Sequence, residues 1–316
     1  MDNFQSPHKN LLQWYKDNGR HHLLWRNTKN IYHIYLSEIM LQQTQVNRVE
    51  SEYYPKFLEK FPTLEKLSNA PLDQVLSSWS GLGYYSRARN LHKTAQICQN
   101  KLPDSMGELQ NLPGIGKYTA SAICSFGYHQ EVSVVDTNIA RVLKRYFATL
   151  DVSDIEVWES ANKFLNTKET TKHNLALMDL GSIVCTPTNP LCENCPLSIS
   201  CLGKKNPELY TQKKKKEYES LELFYGIYGR EDKIALVKTT GKMYKGMLEL
   251  PTVDPIEENF IGQFKHSYTK YRLSVKLYKI DNLSDEVIWI DLDKIDSTPI
   301  SSLTKKALKN FYCRES

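Results

Sequence analysis

The chain has 316 residues, enough for two domains with cores of their own. Its formal net charge is only +5, so a nucleic-acid surface would have to gather its basic residues locally. No stretch approaches the roughly 20 apolar residues of a membrane span, and the opening MDNFQSPHKN lacks the apolar core of a secretory signal. A membrane partner is therefore not expected, and a reducing cytoplasm is. Seven cysteines fit that compartment: four are packed into one run, and Cys98, Cys124 and Cys313 are scattered as small hydrophobes. Of the 19 tyrosines most read as core, while those beside basic residues suit base stacking or backbone contact.

Residues 1–202 read as helical, with amphipathic segments at 8–18, 31–50, 52–60, 71–79, 85–100, 105–111, 117–127, 137–148, 155–165 and 171–181. Pro55, Pro62, Pro71, Gly81, Gly83, Pro103 and Pro113 mark breaks between them. In the second segment, Tyr-Leu-Ser-Glu-Ile-Met-Leu-Gln-Gln-Thr-Gln-Val (35–46), helical spacing puts Glu38, Gln42 and Gln45 on one face beside Ile34, Tyr35 and Leu41. Such a carboxyl is either a plain exposed helix face or a general acid. Apolar surroundings would raise its pKa toward neutrality, as acid catalysis requires.

Leu-Pro-Gly-Ile-Gly-Lys-Tyr-Thr-Ala (112–120) has the pattern of a helix-hairpin-helix. Gly114 and Gly116 would permit the tight turn, and backbone N–H groups at the next helix start would face a DNA phosphate. The bland alternative is an ordinary helical hairpin. Asp136, in Val-Val-Asp-Thr-Asn (134–138), stands where an N-cap belongs, ahead of Ile139. A carboxylate fixed at a helix mouth also suits the positive charge that develops on a sugar when an N-glycosidic bond breaks.

Cys185, Cys192, Cys195 and Cys201 form a Cys-x6-Cys-x2-Cys-x5-Cys run within 17 residues. Thiolates this close can wrap zinc or an iron–sulfur cluster. Zinc ribbons usually offer two distant Cys-x2-Cys knuckles, so a single knuckle with near partners favours the cubane. Residues 203–218, with the lysine run in 211–217, read as a solvated basic linker. From 219 the period falls to two: 221–229, 233–239, 263–268 and 271–280 alternate as strands, and a helix near 299–312 follows. The expected architecture is a helical region, 1–202, and a small α+β domain, 219–316.

Several of these strings together resemble the endonuclease III/MutY family of DNA glycosylases, in particular its adenine-excising branch. Leu-Gly-Ser-Ile-Val-Cys-Thr-Pro (180–187) with the following cysteines is similar to the family's [4Fe–4S] loop, and the 35–46 string to the one carrying an adenine-protonating glutamate. The resemblance implies Glu38 as acid, Asp136 as stabiliser of the sugar cation, Asn138 orienting Asp136, and Tyr118 near the sugar. It implies Arg26, in Trp25-Arg26, near the reaction centre, although Leu24 stands where the family has proline. Gln43 and Thr44 would touch the orphaned base. Gly81–Leu91 resembles the family's wedge, with Leu82 and Tyr84 entering the stack while adenine is flipped out. Endonuclease III-like enzymes place a nucleophilic lysine at the position of Tyr118. Lys117 lies one residue earlier, about 100° around a helix, and is assigned to phosphate.

Gly241–Pro251 resembles a Nudix-like, 8-oxoguanine-recognising module, without the acidic helix a pyrophosphatase needs. The family's Phe-Ser-His lesion loop aligns with Tyr268-Thr269-Lys270. Thr269 supplies a hydroxyl, but Lys270 cannot accept a hydrogen bond as neutral imidazole can. Thr137 and Ile31 also depart from the family's usual glycine and proline. The whole implies a monomeric, monofunctional glycosylase of a bacterial cytoplasm, acting at the nucleoid on double-stranded DNA with 8-oxoguanine:adenine or guanine:adenine mispairs. An endonuclease III-like glycosylase/lyase and a non-catalytic iron–sulfur DNA-binding protein stay open as alternatives.

Overall fold

The computed structural model describes residues 6–211, 217–241, 243–282 and 286–311. Most of the lysine run and Cys313 lie outside them. The chain groups into two compact units, Met1–Tyr54 with Ile97–Lys213, and Pro55–Gln96 with Lys214–Ser316. Residues 55–96 thus group with the C-terminal strands rather than with the rest of the helical region. No helix among the described residues is long and apolar enough to cross a membrane.

The first unit is helical. Its core joins Leu11 and Tyr15 of the helix Pro7–Asn18 to Ile139 and Leu143 of Thr137–Tyr146, and to Leu177 and Leu180 of Thr170–Ile183. Ile139, Val142 and Leu143 are buried, the i, i+3, i+4 stripe of a helix packed on one side. Gly181 is where two of these helices cross. A Cβ there would stand 2.7 Å from Asn138 Cβ and 2.9 Å from its carbonyl oxygen. Glycine is thus what lets Asn138 lie against that helix.

The long helix expected over 31–50 is interrupted. It runs Ile31–Leu41 and stops, because Gln43 takes a left-handed φ of 55°, and a short helix restarts at Val46. Gln45 therefore caps the second helix and does not share a face with Glu38. A further helix, Leu64–Asn69, forms where the apolar pattern predicts none.

The second unit packs Phe57 edge to face on Trp79 and tilted against Phe61 among its helices. Its strands are β1 Glu219–Ile227, β2 Gly229–Arg230, β3 Lys233–Lys238, β4 Leu248–Glu249, β5 Phe260–Tyr268, β6 Tyr271–Lys279 and β7 Ile288–Asp291. One sheet has the order β1-β6-β5, with β1 parallel to β6 and β5 antiparallel to it. The other is β2-β3-β4 with β7 also on β3. The α+β expectation holds, and the strands it missed (β2, β4, β7) are only two to four residues long. The segment 81–91 packs here too: Arg89 donates to the Lys245 carbonyl (2.7 Å), and Tyr85 lies 6.2 Å from the Tyr244 ring.

Candidate active site

A cavity of about 790 Å³ opens in the first unit, lined by Glu38, Tyr118, Asp136 and Asn138 among others. Glu38 sits on the helix Ile31–Leu41, whose N-terminus is capped by the Asn30 side chain. Only 5 % of Glu38 is exposed, and its Oε2 accepts a 2.6 Å hydrogen bond from the Tyr118 hydroxyl. Burial drives its pKa up to about 7; Tyr118 and the Arg26 charge pull the other way, while Asp136 adds to the rise. The Tyr118 hydroxyl is itself pushed well above its ordinary range by burial and by Glu38. At neutral pH this carboxyl can hold a proton and give it up.

Asp136 is the N-cap of Thr137–Tyr146. Its Oδ1 accepts from the Ile139 N–H at 2.7 Å and its Oδ2 from Asn138 Nδ2 at 2.9 Å. Burial raises its pKa, and those N–H donors with the Arg141 charge restrain the rise, because they solvate the anion. Arg141 then ties this corner to the cysteine loop. It donates to Asn138 Oδ1 (2.9 Å), the Gly181 carbonyl (2.6 Å) and the Cys185 carbonyl (2.8 Å). The cap reading and the carboxylate reading of Asp136 are met by the same geometry.

Arg26 lines the cavity but is not free within it. Its guanidinium makes two 2.8 Å bonds to Asp179, a side chain with no exposed surface, and Arg20 joins the same carboxylate at 2.7 Å. Burial alone would raise the Asp179 pKa; the two arginines hold it below its ordinary value. Arg26 reaches Glu38 through its field rather than by contact. Asp179 escaped the sequence reading, although an acid inside the apolar run Leu175–Leu180 was the available signal.

Gln43 and Thr44 line the cavity at the interruption after Leu41, and Gln42 donates to Thr119 at 3.3 Å. In the hairpin only Gly114 has a left-handed φ, of 76°. Gly116 is extended, and a Cβ there would meet no atom within 4 Å, so the turn by itself does not require glycine at that position. Lys117 opens the helix Lys117–Ala122, with its ammonium 4.1 Å from the centre of the Trp158 ring. Trp158 also lines the cavity and was not singled out from sequence.

In the second unit Gly81, Gly83 and Tyr84 have φ of 91°, 80° and 48°. Leu82 is packed inside, only 4 % exposed, so it is not presented as a wedge in this conformation; its nonpolar side chain goes to the core. Tyr84 is half-buried, its ring over the Arg87 guanidinium. Thr269 and Lys270 form the two-residue turn between β5 and β6, both exposed, with Thr269 at φ 50°. Lys270 pairs with Glu219, both side chains more than half exposed.

Cys185, Cys192, Cys195 and Cys201 line one small cavity with Val142, Leu180 and Leu197, and no disulfide joins them. Arg145 reaches Cys185 Sγ at 3.2 Å and the Thr186 carbonyl at 2.7 Å. Among the described residues, no group of three or more His, Cys, Asp or Glu is arranged to hold a single metal ion.

Residues 36–172 match the family described as HhH-GPD superfamily base excision DNA repair protein. An adenine DNA glycosylase of Buchnera aphidicola subsp. Schizaphis graminum is 31 % identical, the alignment covering 95 % of this chain and 97 % of that protein. The chain belongs to the adenine DNA glycosylase family. Its relative from Buchnera aphidicola subsp. Baizongia pistaciae is 44 % identical over 210 residues, 64 % of this chain and 60 % of that protein. A solved structure, that of a thermostable thymine-DNA glycosylase, superposes with a TM-score of 0.58 at 28 % identity, over 65 % of this chain and 99 % of the other. The helix-hairpin-helix fold of residues 36–172 and the chain's class, DNA glycosylases of base excision repair, follow. The non-catalytic reading and the endonuclease III-like reading are thereby set aside.

Proposed function

We propose that this chain is a monofunctional glycosylase that excises adenine paired with 8-oxoguanine and, with lower preference, with guanine. The observation that carries the reading is a buried, protonatable Glu38, hydrogen-bonded by Tyr118, on the same cavity as the capped carboxylate Asp136. An adenine flipped into the cavity takes the Glu38 proton on a ring nitrogen. The C1′–N9 electron pair leaves with the base, Asp136 stabilises the resulting sugar cation, and water completes the hydrolysis. Asn138 holds the Asp136 carboxylate, Tyr118 shields the cation, and Arg26 acts through its charge. Two carboxyls with different tasks need different environments, and here one has a phenol donor and the other two N–H donors.

On this reading Gln43 and Thr44 meet the orphaned base, the hairpin with Gly114, Gly116 and Lys117 meets phosphate, and Tyr84 is the wedge. On a Nudix-like domain, Thr269 senses the lesion and Lys270 meets the phosphate beside it. The four cysteines would hold a [4Fe–4S] cluster. Four free thiols line one small cavity, a donor set that suits a cubane ligated by four thiolates. The cluster would fasten the loop 185–201. The site of action is the bacterial nucleoid. Single-turnover excision from an 8-oxoguanine:adenine duplex tests the reading: the intact protein should release adenine, and Glu38→Gln should not. Equal release by both would overturn it.

A further inference from the structure

We propose that Trp158 is a positioning residue that presents Lys117 to a DNA phosphate. The inference rests on the assignment of the hairpin to phosphate and adds a part that the hairpin string itself lacks. Trp158 belongs to the helix Asp154–Lys163, whose start is locked by a Ser153/Glu156 capping box. Its neighbour Val157 is buried at 4 % exposure and anchors that turn to the core. The indole is therefore held by a rigid element, half-buried, with one face under the Lys117 ammonium at 4.1 Å.

Lys117 is the first residue of its helix, exposed, on a flexible stem of four carbons. Left alone, such a side chain loses rotamer freedom when it meets a phosphate, and affinity falls accordingly. A carboxylate partner would order it but would also compete with the phosphate for the ammonium. An aromatic face orders the ammonium while leaving its charge and its N–H donors available. Among the described residues, no carboxylate pairs with Lys117 within ion-pair distance. The ring stands beside the base cavity, so the lysine is held next to the place where a flipped nucleotide's backbone must bend. The same hold keeps its amine from wandering toward the sugar.

The test is a double-mutant cycle on affinity for an uncleavable mispaired duplex across a salt series, with thermal unfolding as a control for folding. Lys117→Ala should weaken binding and reduce the salt slope by about one. Trp158→Ala should weaken binding about three- to tenfold while Lys117 is present and hardly at all in the Lys117→Ala background. Trp158→Phe, which keeps an aromatic face, should recover most of the loss. An equal Trp158→Ala penalty in both backgrounds overturns the inference, since the ring would then act only as a cavity wall. If Lys117→Ala itself changes neither affinity nor slope, it is the phosphate assignment of the hairpin that fails.

Discussion

The cavity around Glu38 and the turn at Thr269–Lys270 are each assigned to one side of the mispair, yet they are built on opposite plans. Glu38 is buried and held by a 2.6 Å bond from a residue 80 positions away. Thr269 and Lys270 are exposed, on a two-residue turn, with a surface ion pair that water and salt screen. The difference teaches what each task requires. Moving a proton at neutral pH needs a carboxyl whose charged form has been made costly, and at Glu38 burial is the largest cause. Feeling a lesion in a duplex needs side chains that reach outward, and burial would defeat it.

The largest break in this contrast should come from the carboxyls. Glu38→Gln and Asp136→Asn should each lower single-turnover excision by about 10²–10⁴-fold while mismatch binding stays near that of the intact protein. Asparagine is as good an N-cap as aspartate, so the second variant should fold. Excision within a few-fold of the intact protein in either variant would end the assignment.

The cysteines come next. Cys192→Ser or Cys195→Ser should yield colourless, less stable protein that loses DNA affinity more than it loses the rate of the chemical step. Absorbance, iron content and binding at one salt concentration read this directly. A soluble, iron-free variant with full affinity would contradict the proposed cluster.

The pH profile sharpens the meaning of burial. An acid with a pKa of about 7 is spent above it, so excision should fall as pH rises through 7. Stability should move the same way. Unfolded Glu38 titrates near 4.5, so between 4.5 and 7 the folded chain holds the extra proton, and stability declines as pH rises across that window. Glu38→Gln should therefore be the more stable protein at pH 8, by on the order of 1–3 kcal/mol. Tyr118→Phe removes a bond that favours the ionised carboxyl and should shift the falling limb to higher pH. A limb that stays in place would show that Tyr118 does not tune Glu38.

The smallest effects belong to the turn. Lys270→Ala should weaken binding to 8-oxoguanine and guanine mispairs equally, by a few-fold, and reduce the salt slope by about one. Thr269→Ala should instead erode the preference for 8-oxoguanine. Lesion-specific loss in the Lys270 variant would reverse the two roles.

Much of this was written in local order. The apolar stripe of 139–143 after Asp136, the 112–120 hairpin and the alternation of 271–280 each report a period or a cap that neighbours in sequence settle, and each element formed. The identity of Glu38 as a buried acid was legible only as an option, because a helix face is exposed or buried according to what packs on it. Gln43 shows the same limit: its left-handed turn ends a helix that the local pattern would continue, and leaves Gln43 on the cavity wall. Tertiary packing also decided that Arg26 spends its guanidinium on Asp179, that Leu82 goes inward, and that Trp158 lies beneath Lys117. Those partners stand 153 and 41 positions apart in the chain for the two contacts, or depend on core volume for the leucine. Periodicity and capping act over a few residues, so the sequence by itself determined most of the longer elements and the chemical inventory. Which buried charge meets which partner is set by long-range packing, and only the folded chain decided it.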